Sequence, residues 1–92
     1  MSETNLRTLK IINEKGLHAR ASAKFVEVVE GFDATAEVSL DGVSAFGDSI
    51  MGLLMLAASK GTSIEVQTNG PDAAALVEAL DVLVADRFGE GC

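Results

Sequence analysis

Thr35-Ala36-Glu37-Val38-Ser39-Leu40-Asp41-Gly42-Val43-Ser44-Ala45 is the stretch on which the fold turns. From 35 to 40 every second residue is apolar, the period of a strand with one covered and one wet face. Asp41-Gly42 is a two-residue hairpin turn, because both central positions of such a turn need positive φ and this pair tolerates it. Val43 to Ala45 then returns as a short partner strand. Strands that alternate in this way make an antiparallel sheet covered by helices on one side only.

Moving backwards from the hairpin, residues 18–30 place Ala23, Phe25, Val26, Val28 and Val29 at helical spacing, and Gly31 sits where a helix would stop. Residues 5–12 read as a first strand with Leu9 and Ile11 inward, broken by Gly16. Moving forwards, a second helix is expected from Ser49 to Lys60-Gly61, with Ile50, Leu53, Leu54 and Leu56 supplying core. Residues 62–68 alternate again, Ile64 and Val66 inward. Asn69-Gly70-Pro71-Asp72 opens a third helix, proline suiting its first turn, and Ala73, Leu76, Val77, Leu80, Leu83, Val84 and Phe88 form one apolar stripe along it up to Gly89. The expected order is β-α-β-β-α-β-α. That is a two-layer α+β open-faced sandwich, a four-stranded antiparallel sheet with three helices on one face.

The 92 residues form a single expected domain, 1–92, with no repeat or linker. A chain that is 48% apolar and 23% charged is globular in composition. No apolar run reaches bilayer length, and Met1-Ser2-Glu3-Thr4-Asn5 is too polar for a signal segment. The lone cysteine, Cys92, permits no internal disulfide and is expected to be an inert end, which points to the reducing cytoplasm. Fourteen acidic residues against seven basic ones give a net charge of −7, which argues against nucleic acid or an anionic membrane as partner. Trp and Tyr, the usual stacking residues for bases, are absent. With one histidine and scattered carboxylates, no metal and no cofactor is expected. The charge is uneven. Lys15, Arg20 and Lys24 surround the histidine against Glu14 alone, whereas Glu65, Asp72, Glu78, Asp81, Asp86 and Glu90 load the far strand and last helix with acid.

That histidine, His18, lies in Lys15-Gly16-Leu17-His18-Ala19-Arg20-Ala21-Ser22, after a glycine turn and at the start of the first helix. The first backbone N–H groups of a helix have no intrahelical acceptor and carry the positive end of the dipole, so such an end binds phosphate. A neutral imidazole there is a nucleophile, and Arg20 can turn a planar guanidinium with paired donors towards an anion held beside it. Together these make a phosphoryl acceptor. The ordinary alternative on these residues alone is a capping histidine beside a solvated arginine.

Gly16-Leu17-His18-Ala19-Arg20, followed by an amphipathic helix, a strand, a hairpin, Ser49-Ile50-Met51-Gly52-Leu53-Leu54-Met55-Leu56, a further strand and a last helix, resembles the HPr family. Its members are the histidine-containing phosphocarriers of the bacterial phosphoenolpyruvate-dependent phosphotransferase system (PTS). The resemblance runs from about Leu6 to Phe88. It implies that His18 is phosphorylated on Nδ1 by phosphorylated enzyme I, that Arg20 and the backbone of Ala19 and Ala21 contact the phosphoryl group, and that the group passes to IIA-type proteins in sugar uptake or nitrogen regulation. It also implies a monomer that carries the group without turnover of its own. One position departs from the pattern: the proline usual after the arginine is Ala21 here, which keeps its N–H but pre-organises the first turn less.

The second motif, Gly47-Asp48-Ser49-Ile50-Met51-Gly52-Leu53-Leu54, reads on its own as a cap, Asp48 or Ser49, ahead of a core helix. The resemblance adds an apolar docking surface of Ala23, Ile50, Met51 and Leu54, and makes Ser49 the serine that an HPr kinase/phosphorylase modifies in many members. Two alternatives stand beside it. An acyl carrier protein with phosphopantetheine on Ser49 would share the small acidic chain and an Asp-Ser pair, yet residues 51–58 lack the acidic recognition helix of that family, and segments 35–40 and 62–68 predict strands. A binding module that keeps the fold without phosphorylation is the other.

Overall fold

The 35–45 stretch folds as a hairpin in the computed structural model, which describes residues 3–90; Cys92 and the expectation attached to it lie outside them. Its arms are β2 (Thr35–Leu40) and β3 (Val43–Phe46), with Val38 facing Ala45 and Leu40 facing Val43. Asp41 and Gly42 take φ of 51° and 83°, the left-handed pair that a two-residue turn demands. The other strands are β1 (Glu3–Lys10) and β4 (Ser63–Gly70). All neighbours are antiparallel in the order β1-β4-β2-β3, so β4 is inserted between the first strand and the hairpin. Arg7, Val66, Val38 and Ala45 align across the four strands as one row. Val66, Val38 and Ala45 in that row are buried.

Three helices cover that face: α1 (Ala19–Glu30), α2 (Ile50–Met55) and α3 (Ala73–Ala85). The apolar stripes put Phe25, Val26 and Val29 of α1, and Leu76, Leu80 and Val84 of α3, in one core with Leu9, Val38, Ile64 and Val66 of the sheet. Each such aliphatic or aromatic side chain contributes about 1.5–3 kcal/mol when fully buried. At the sheet edge Arg7 takes the inward position, and its guanidinium Nη1 donates to both Glu78 and Asp81 of α3, each at 2.9 Å. Those contacts clip the edge strand to the helix.

Several boundaries differ from the sequence expectation. The second helix stops at Met55 instead of running to Lys60, because Ala57 turns left-handed (φ 53°) and the chain folds Leu56 and Ala58 into the core. Lys60 caps no helix; its ammonium lies 3.5 Å from Glu14. Of the four residues expected to supply core, Leu53 and Leu56 are buried, whereas Leu54 is half-buried and Ile50 is 40% exposed. The third helix ends at Ala85, and Phe88 is buried from a separate 3-10 turn, Arg87–Gly89, in which Arg87 and Phe88 both have left-handed φ. Pro71 precedes the N-cap residue Asp72 instead of occupying the first turn. Asp72 itself exchanges two bonds with Asp33: its carboxylate accepts from Asp33 N at 2.8 Å and its N–H donates to Asp33 O at 3.1 Å. Gly31 caps α1 as expected but with right-handed φ.

Candidate functional site

Everything that positions His18 comes from three short segments. The 13–17 loop leads into α1, the turn after α2 supports that loop, and the turn after α3 closes over it. Gly16 has φ of 65°, and a Cβ there would lie 2.4 Å from the carbonyl oxygen of Ala58. Only glycine allows that approach, and it lets Leu17 N donate to the same oxygen at 2.8 Å. The buried Leu17 side chain anchors the next residue.

His18 is the N-cap residue of α1, with extended φ and ψ of −77° and −175°, and its carbonyl accepts the first helical bond from Ser22 N at 2.8 Å. Among the described residues no side chain caps the helix, so the N–H groups of Ala19, Arg20 and Ala21 are the donors of its first turn that lack an intrahelical acceptor. Ala21 is fully buried and Ser22 bonds back to Leu17 O at 3.2 Å, which seats the first turn firmly without proline. The imidazole is partly exposed at the mouth of a shallow cleft of about 490 Å³ lined by Lys15, His18, Ala19, Arg20, Lys24, Gly89 and Glu90. Arg20 is exposed and forms no ion pair among the described residues. An imidazole, a guanidinium without an ion pair among the described residues and the N-terminus of a helix therefore border one cleft.

Sequence reasoning missed Glu90, which it counted with the distant acids. The structure brings its Oε2 to Nε2 of His18, so the ring engages this carboxylate through one nitrogen and leaves Nδ1 without a partner among the described residues. Its Oε1 accepts from Asn13 Nδ2 at 3.0 Å, and the same amide donates to Gly16 O at 2.8 Å. The Asn13 amide, more than the His18 ring, holds the Glu90 carboxyl below its usual range against an opposing effect of burial. Lys24 also arrives, donating to Phe88 O at 2.6 Å. The one local signal of this closure was Gly89, read as a stop, where φ is 75°.

The second motif lies at the head of α2. Ser49, and not Asp48, is the cap: its Oγ accepts from Gly52 N at 3.0 Å. Ile50 and Met51 are exposed, Leu54 and Ala23 half-buried, and Met55 is 75% exposed, an apolar residue of the same helix that sequence reasoning left out. α2 packs against α1. Among the described residues no three metal-ligating side chains gather, and no helix is long and apolar enough to cross a membrane.

Residues 6–86 match the family described as the PTS HPr component phosphorylation site. The chain belongs to the HPr family. It is 45% identical over 85 residues to the phosphocarrier protein HPr of Cupriavidus necator, covering 92% of this chain and 96% of that protein. It is also 38% identical to the phosphocarrier protein NPr of Escherichia coli, covering 91% and 94%. Among solved structures, HPr-C-His from Thermoanaerobacter tengcongensis superposes with a TM-score of 0.89 at 34% identity, covering 94% of this chain and 97% of that one. HPr from Bacillus anthracis gives 0.84 at 33%, covering 88% and 96%. The four-stranded sheet and these relatives exclude the acyl carrier alternative. This HPr is a phosphocarrier protein of the phosphotransferase system.

Proposed function

We propose that this HPr accepts a phosphoryl group on Nδ1 of His18 from phosphorylated enzyme I and hands it to a histidine of a IIA-type protein, acting as a cytoplasmic relay without turnover of its own. The observation that carries this reading is the ring itself. His18 stands at the N-terminus of α1, its Nε2 is engaged by Glu90, its Nδ1 has no partner among the described residues, and the residue lines a cleft with Lys15, Arg20 and Lys24. Phosphoryl transfer depends mainly on positioning and on charge stabilisation. The N–H groups of Ala19 to Ala21 and the fork of Arg20 supply both for the incoming oxygens.

The docking face is Ala23, Ile50, Met51 and Leu54, extended by Met55. Flexible methionines suit a surface that must meet several partners in turn, and a small shallow face suits complexes that part quickly. Ser49 lies at the edge of this face. A phosphate placed there by an HPr kinase/phosphorylase would be tolerated by the helix, yet would set a dianion against an apolar partner and repel a phosphorylated donor.

Labelled phosphoenolpyruvate with the cognate enzyme I is expected to place acid-labile phosphate on His18. His18→Ala should take up none, and Arg20→Lys should be slower, because a point charge lacks the paired geometry. Absence of label on the wild type would leave only a binding module that keeps the fold. Ser49→Asp should slow acceptance, and unchanged kinetics would remove the regulatory part of the reading.

A further inference from the structure

His18 has one polar side-chain contact among the described residues, and it comes from Glu90, 72 positions along the chain. Glu90 is not a loose surface acid. Its side chain is 11% exposed, and its second oxygen is held by Asn13, which is itself fully buried and braced on Gly16 O. The turn that delivers it is pinned by the buried ring of Phe88 and by Lys24 on the Phe88 carbonyl. A carboxylate fixed on one ring nitrogen decides which tautomer the ring adopts and favours any positive charge the ring acquires.

We propose that Glu90 is the positioning residue and counter-ion of the phosphoryl-accepting ring, holding the ring proton on Nε2 so that Nδ1 presents its lone pair. The inference rests on the phosphocarrier reading of His18. In the transfer, the Nδ1 lone pair forms the new N–P bond while the N–P bond of a phosphohistidine donor breaks, its electron pair returning to the donor ring. The His18 proton stays on Nε2 throughout, so the product is a phosphorylated imidazolium facing a carboxylate. Lys15, Arg20 and Lys24 line the same cleft, so the phosphoryl oxygens and the ring cation have separate partners. The same arrangement serves the onward step, because a ring that keeps its Nε2 proton leaves as neutral imidazole.

The test uses the full chain labelled with nitrogen-15. The ring shifts of unphosphorylated His18 report its tautomer, and the wild type is expected to carry the proton on Nε2. Glu90→Ala should move the ring to a mixture and slow acceptance from phosphorylated enzyme I by on the order of tenfold. Glu90→Gln, which keeps the shape and an acceptor but not the charge, should retain more of the tautomer bias than of the rate. Amide spectra that match the wild type away from the cleft show that both variants are folded. Identical ring shifts in the wild type and Glu90→Ala would overturn the inference, as would equal rates. Label on a wild type that Glu90→Ala matches sinks only the role of Glu90; no label on the wild type sinks the carrier reading with it.

Discussion

Glu90 puts a carboxylate against a ring that the sequence surrounds with cations, and its ionisation links the site to stability. The Asn13 amide and then the His18 ring hold its carboxyl below the ordinary value of 4.5, in spite of burial. A carboxyl lowered on folding adds stability that is fully present above its unfolded value and is lost as pH falls through the folded one. Glu90→Gln removes that linkage. The wild type is therefore expected to be more stable than Glu90→Gln by about 1 kcal/mol near neutral pH, the scale of a charged hydrogen bond partly offset by burial. The gap should narrow below about pH 4.5 and close once the folded carboxyl is protonated. Urea midpoints across a pH series measure it, and a gap that stays constant into acid would contradict the ionised state of Glu90.

At the scale of elements, α2 is the informative one. Six residues are too few for a helix to persist alone, so its cap and its packing decide whether it forms. Ser49→Ala removes the acceptor for Gly52 N and is expected to cost about 1 kcal/mol, read as a lower urea midpoint, whereas Ser49→Asp should cost little because aspartate caps as well. An alanine variant as stable as the wild type would show that the cap is idle. With the aspartate variant folded, any slowing of phosphoryl acceptance belongs to its charge. The hairpin, α1 and most of α3 were legible in the sequence because each is written in its own period: alternation from Thr35, 3.6-residue spacing from Phe25 and from Leu76. The end of α2 was not, because Ala58 leaves the helix to serve Leu17 N across the site, a tertiary demand that no local pattern records. His18 and Arg20 stand together beside a glycine turn, which singled them out, but on those residues alone a capping histidine stayed open, and it was the family resemblance that gave them roles. Glu90 was not legible, since its contacts with His18 and Asn13 span almost the whole chain.

Over the whole molecule, an acidic chain keeps a cationic cleft by delivering one chosen carboxylate to it, and the delivery is made by the core. Phe88 is fully buried although it lies beyond α3 in a turn where Arg87, Phe88 and Gly89 all have positive φ. Non-glycine residues resist that conformation, and burial of the phenyl ring offsets its cost, with the turn's own backbone bonds from Gly89 N to Asp86 O and Glu90 N to Arg87 O and the bond from Lys24 to the Phe88 carbonyl adding to it. Glu90 follows two residues later. Phe88→Ala is accordingly expected to cost about 3–5 kcal/mol, a large share of the roughly 5–15 kcal/mol available to a domain. It should also release Glu90 from His18. Urea denaturation and the nitrogen-15 shifts of the His18 ring, measured on the same sample, separate this from Glu90→Gln, which should disturb the ring with a far smaller loss of stability. A Phe88→Ala protein that kept both the wild-type midpoint and the wild-type ring shifts would show that the turn is held by something other than its buried ring.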